Sequence, residues 1–156
     1  MSSYSSIAAQ RAAEEAQREK RRNYLRSQIR GLENEIEIYN TQISSLEFKL
    51  EQQRATKAFF DGKCTNLDAE RAAKSVCAQK LEPCVANLKF DLGYTTVMDE
   101  LLHGGTSQSY EGYRQETGQY MQNEINENQT TLDELKKTRD ARVTTMTSLN
   151  YELARL

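Results

Sequence analysis

Apolar side chains recur along this chain at alternating steps of four and three residues, in three separate stretches. The first stretch comprises Leu25, Ile29, Leu32, Ile36, Tyr39, Ile43, Leu46 and Leu50. A 3.5-residue repeat keeps one stripe of a helix turned toward a partner helix, so this spacing predicts a first coiled-coil helix over 24–60. The run thins through Gln53 and Lys57 to Phe60. Asp61-Gly62 then reads as its end, because glycine accepts the positive φ of a helix C-terminus. Residues 1–23 form a polar extension whose Ala, Glu, Gln, Arg and Lys content favours helix without supplying a large apolar stripe.

Thr65, with Asp68 three residues on, resembles a capping box and opens a second helix over 65–102. Ala73, Cys77, Leu81, Cys84 and Leu88 set its seam, which places both cysteines on the face to be buried. Pro83 removes a backbone donor and predicts a kink near Leu81, not a reversal, since the seam passes through it in phase. Gly93 marks a second soft spot before Tyr94, Val97, Met98, Leu101 and Leu102. His103, Gly104 and Gly105 then form the second turn, and Thr106 or Ser107 caps a third helix over 106–156. Its seam runs Met121, Ile125, Asn128, Leu132, Leu135, Arg139, Arg142, Met146, Leu149, Leu153 and Leu156. A buried amide in such a seam fixes register, which singles out Asn128, while Arg139 and Arg142 weaken the middle of the stripe.

The expected architecture is all-α: an elongated antiparallel helical hairpin of three long helices with coiled-coil seams, forming one domain. Leu25–Phe60 and Asn66–Leu101 have equal length, so helix three draws level with the first turn near residue 141. Residues beyond that point overshoot, leaving Val143, Met146, Leu149, Leu153 and Leu156 uncovered over about 20 Å. An apolar seam of that length marks a partner site. The alternative is that Pro83 and Gly93 shorten helix two, or that helix one shifts so that the tail packs internally. On the first reading, Leu25, Ile29, Leu32, Ile36 and Ile43, with Met146, Leu149 and Leu153, carry the core or partner contacts.

Composition narrows the function. Hydrophobic residues make up 37% and charged residues 28% of the chain, a poor supply for a compact core around a cleft. The net charge of -2 argues against a nucleic-acid binder. Arg18, Lys20, Arg21, Arg22, Arg26 and Arg30 cluster on the first helix, but Glu14, Glu15 and Glu19 stand beside them, as on a solvated face. No apolar run reaches the ~18 residues that a membrane span needs. The N-terminus has no basic-then-apolar leader, so synthesis in the cytoplasm is expected. Cys64, Cys77 and Cys84 cannot all pair within one chain, and Cys77 and Cys84 on one helix lie about 10 Å apart, beyond disulfide reach. The sole histidine, His103, completes neither a metal cluster nor a nucleophile–base pair, and no phosphate-binding glycine motif occurs. A non-enzymatic protein without cofactor or metal is expected. Tyr110, Tyr113 and Tyr120 follow the glycines at helical spacing, as a cover for the hairpin base or as an aromatic contact surface.

A leaderless all-helical chain with Leu102-His103-Gly104-Gly105 at a turn, followed by the small and aromatic residues of Thr106–Tyr110, resembles the WXG-type proteins of type VII secretion. In particular it is similar to the longer helical proteins encoded beside LXG-domain toxins. His103-Gly104-Gly105 stands where that family has W-x-G, since the chain has no Trp, and Tyr120 with Glu124 fits its Y-x-x-x-[DE] export pattern. The resemblance covers residues 65–156. It implies an adaptor or targeting chaperone that pairs with the N-terminal helical domain of a toxin, or with another small helical protein. It also implies export without a signal peptide as a route for the chain. A self-associating coiled-coil scaffold or tether with no secretion role is the alternative.

Overall fold

The computed structural model describes the backbone of residues 2–85 and 89–156, and the side chains of residues 7–80, 96–105 and 107–156. Every described element is helical: α1 (Ser2–Val85), α2 (Lys89–His103) and α3 (Gly105–Ala154). Two long helices, α1 and α3, are the arms of a helical hairpin. The chain divides into two compact units, residues 1–48 with 130–156, and residues 49–129.

In the first unit the α1 segment runs antiparallel to the end of α3. Arg21 pairs with Glu152 at 2.6 Å, Glu35 with Arg142 at 3.0 Å and Glu47 with Lys136 at 2.7 Å, so partners descend along α3 as α1 ascends. Leu25, Ile29, Leu32 and Ile43 are buried in this unit, and Leu132 is buried on the facing arm. Ile36, Tyr39 and Leu46 on α1, and Leu135, Met146, Leu149, Leu153 and Leu156 on the other arm, are half-buried. Except at Arg142, which is exposed and meets Glu35, the four-and-three spacing therefore picks out the covered stripe on both arms. The expected overhang is overturned. The final residues lie against the start of the same chain, where the Arg22 guanidinium donates to the Leu156 carbonyl at 2.7 Å.

The reason lies in the second unit, where the expected break at Asp61-Gly62 is absent. α1 continues through both residues, and no described residue has positive φ. Thr65 does not cap a new helix; its hydroxyl donates to the Asp61 carbonyl one turn back, at 3.0 Å. Lys57 bridges Asp61 across a turn at 2.6 Å. The buried phase also runs on: Gln53, Lys57 and Phe60 are half-buried, Cys64 is buried, and Arg71, Ser75 and Ala78 follow at the same period. Packing along that stripe outweighs the ~1 kcal/mol that a helical glycine costs relative to alanine. The stripe leaves Ala73 and Cys77 exposed, which corrects their placement on the buried face. Leu81, Cys84, Leu88 and Tyr94 as seam residues, Gly93 as a soft spot and Thr106 as a cap fall outside the described side chains; α1 itself passes through Pro83 to Val85.

The second correction concerns His103-Gly104-Gly105, which is a bend within one arm and not the point of reversal. Gly104 N donates to Glu100 O at 2.8 Å and Gln108 N to Gly104 O at 3.1 Å, so the helical ladder crosses the glycines. α2 already runs antiparallel to α1. Ser75 stands against His103 at 3.4 Å, and Gln79 shares a hollow with Thr96 and Asp99. α1 therefore makes up one arm, and α2 with α3 the other. Because α1 runs unbroken past residues 61–64, the first arm is longer than the expected 24–60 helix, and that gives the C-terminal segment a partner.

A polar layer interrupts the second unit's stripe. Asn128 donates to Gln53 Oε1 at 2.9 Å and accepts from Lys49 at 3.4 Å, while Gln53 donates to Glu124 at 3.3 Å. A polar side chain in a packed stripe costs stability and fixes register. Asn128→Leu is expected to raise stability by ~1 kcal/mol, read as a higher thermal midpoint; an unchanged or lower midpoint would show that the hydrogen bonds outweigh burial.

Candidate docking surface

The bend is built by close approach. A Cβ on Gly104 would run into the Glu100 carbonyl and carboxylate, so only glycine fits there. The Glu100 carboxylate accepts from Gly105 N at 3.3 Å, satisfying a donor at the start of α3. Arg71 reaches across from α1, donating to the Leu102 carbonyl at 2.7 Å and to Ser107 Oγ, while Ser107 also donates to Leu102 O at 3.0 Å. One level along, Arg114 donates to Asp68 at 2.7 Å; that hydrogen bond and the carboxylate's charge raise the Arg114 pKa above its ordinary value. These contacts pin both arms around the bend. His103 is exposed, and its imidazole meets only the half-buried Ser75 hydroxyl among its described contacts, an arrangement open to water on one side.

The residues expected to meet a partner through the seam are used inside the molecule. Leu25, Ile29, Leu32 and Ile43 are under a tenth exposed, and Ile36, Met146, Leu149 and Leu153 are half-covered by the facing arm. They form core, and the free surface is elsewhere.

Tyr110, Tyr113 and Tyr120 are exposed on α3, the last two to about two thirds of their area (71% and 66%). Tyr120 rims a hollow of about 250 Å³ between the arms of the second unit, lined also by Gln52, Gln53, Thr56, Met121 and Glu124. Seven residues are nearly two full helical turns, so residues that far apart share a face. Phe59 thus lies on the face of α1 that holds Gln52, and Tyr113 on the face of α3 that holds Tyr120. Gly118 stands against Phe60 and Arg114 meets Asp68, so Phe59 is level with Tyr120 while Tyr113 lies about two turns further toward the bend. Phe59 is 67% exposed, with the Lys63 ammonium 5.2 Å from its ring centroid. One side of the second unit therefore carries Phe59, Tyr113 and Tyr120 along its length, with Tyr120 at the rim of an open, largely apolar hollow.

Phe59 is legible in the sequence only as a residue off the seam, and nothing local in the sequence pairs it with Tyr120. The tie comes from the antiparallel level of the two arms. Val97 and Leu101 add exposed apolar area on α2. Among the described residues no cluster of His, Cys, Asp or Glu is disposed to hold a metal ion, and no helix is long and apolar enough to cross a membrane. No family model matches this chain, and no curated protein or solved structure matches it either.

Proposed function

We propose that this chain is a non-enzymatic helical binding protein whose foreign-partner surface is the aromatic side of the second unit. The observation that carries this reading is that Phe59, Tyr113 and Tyr120 are exposed on one side of the second unit, beside the hollow that Tyr120 rims with Gln52 and Met121. Three large rings left in water on one side of a helical pair are costly unless covered. Aromatic residues ringed by polar ones are the usual anchors of protein interfaces. The four-and-three spacing of the covered stripe supports coiled-coil packing of the arms, which holds the rings on a stiff support. Tyr110 lies at the edge of the same group and extends it toward the bend.

The resemblance to proteins encoded beside LXG toxins supplies the partner class, the N-terminal helical domain of such a toxin, with this chain as adaptor or targeting chaperone. A partner helix laid along the hollow would cover the rings by its apolar face, a helix-in-groove mode. Co-expression is expected to yield a complex that survives size exclusion, and Phe59→Ala with Tyr120→Ala is expected to weaken it about a hundredfold, at ~1–2 kcal/mol per anchor. Both side chains are exposed, so the helicity of the free chain stays unchanged. Independent elution of wild-type chain and toxin domain would remove the toxin reading. A complex indifferent to the double substitution would remove the surface.

A further inference from the structure

The outward side of α1 in the first unit differs from every other exposed stripe of that unit. Positions 24, 27, 31, 34, 38, 41, 45 and 48 recur at steps of three and four, all are exposed, and none is charged. The six charged residues between Tyr24 and Phe48 all fall elsewhere on the helix. The outward stripe of α3 in the same unit carries Glu134, Lys137 and Arg155, as a solvated face does. Tyr24, Ile38 and Phe48 on the α1 stripe are each more than half exposed, and a Cβ on Gly31 would meet only open space. α1 thus has two opposed stripes at coiled-coil spacing, one covered by α3 and one bare.

We infer that a second copy of this chain covers the bare stripe, in a parallel, two-fold, in-register pairing of the α1 segments 24–48. The shoulders of the stripe decide the occupant and its direction. Arg30 lies on one shoulder and Glu35, five residues on, lies on the other. In a parallel pair that separation sets each Arg30 against the other copy's Glu35. Glu35 already meets Arg142 at 3.0 Å but keeps about half its side chain in water, so it has room for a second cation. The next shoulder residues, Glu37 and Gln42, meet without like charge. An antiparallel pair centred on the stripe would instead oppose Glu35 to Glu35 and Glu37 to Glu37, which disfavours it. In register, Gly31 stacks on Gly31 and lets the backbones approach, Asn34 meets Asn34 and fixes alignment, and Ile38 supplies the apolar anchor.

The area is adequate for a modest dimer. The segment is about 36 Å long, which buries roughly 500 Å² per copy, or about 1,000 Å² in all, the lower bound for specific association. Dissociation constants on the order of 10 µM are in keeping with such a surface.

Sedimentation velocity on the full chain over a range of concentrations tests the pairing. A monomer–dimer equilibrium is expected, with Ile38→Glu shifting the constant toward monomer by at least about tenfold, and Arg30→Glu by a smaller factor. Both residues are exposed, so circular dichroism should show unchanged helix. Direction is read separately, with Asn34→Cys in a background where Cys64, Cys77 and Cys84 are replaced by serine. Mild oxidation should link two copies through that position in the parallel dimer. A chain that stays monomeric at ~100 µM, a dimer untouched by Ile38→Glu, or a dimer in which Asn34→Cys does not cross-link would each overturn the proposal. None of these results bears on toxin binding through Phe59 and Tyr120.

Discussion

Deleting residues 142–156 is expected to unfold the first unit. Leu25 is fully buried and Ile29 and Leu32 nearly so, and the arm that covers this stretch of α1 is the C-terminal part of α3. The deletion removes Met146, Leu149, Leu153 and Leu156, together with the carbonyl that Arg22 meets and the carboxylate that Arg21 meets. Burial of side chains of this kind is worth ~1.5–3 kcal/mol each when complete, so even half-covered ones amount to several kcal/mol, comparable with the total stability of a small domain. The stranded part of α1 would be an isolated helix with an apolar stripe, which is marginal in water and prone to associate. The expected readout is a drop in ellipticity at 222 nm, an earlier melting transition and concentration-dependent aggregation. An unchanged melt and mass after truncation would mean that the tail adds nothing to the fold. The surface ion pairs of this region contribute little by comparison, ~0–1 kcal/mol each.

The second large effect is expected at Leu50, which is 2% exposed. Leu50→Ala removes most of a packed side chain and leaves a cavity between the arms, at a cost of ~2–5 kcal/mol. Phe48, two residues earlier on the same helix, is 65% exposed, and Phe48→Ala is expected to change stability by under ~0.5 kcal/mol. The pair makes a direct test, because the residue types are alike and only the face differs. Urea midpoints at equal slope give the two values. A comparable loss at both positions would show that the stripe bearing Leu50 is not the core. The dimer proposal makes the Phe48 result depend on protein concentration, so the comparison belongs well below the micromolar range.

What the sequence made legible follows the periodicity closely. Leu25, Ile29, Leu32, Ile43 and Leu50 on the first arm, and Ile125 and Leu132 on the second, are spaced at four and three residues and are all buried. Asn128, the amide in the stripe, sits in a layer with Gln53 and Lys49. Local breakers do not act alone in this chain. Gly62 has the residue type of a helix end, yet its helix continues, since Phe60 and Cys64 on either side remain part of the covered stripe. Gly104 and Gly105 have the residue types of a turn, yet Glu100 and Gln108 carry the helical hydrogen bonds across them. Both times a glycine's small intrinsic penalty was set against packing energy that depends on the other arm.

The sequence by itself determined the helical class and, along residues 25–60 and 121–156, most of the covered stripe and the residues that fill it. Those properties arise from 3.5-residue spacing and helix propensity, which act over one or two turns. Only the tertiary structure decided where the chain reverses, because reversal depends on which distant segments can bury one another along their full length. That choice settled the fate of the C-terminal segment, which packs against Leu25 and Ile29 instead of projecting. It also settled which apolar residues stay outside, the Phe59–Tyr113–Tyr120 side and the bare stripe of α1, since exposure is whatever the facing arm leaves uncovered.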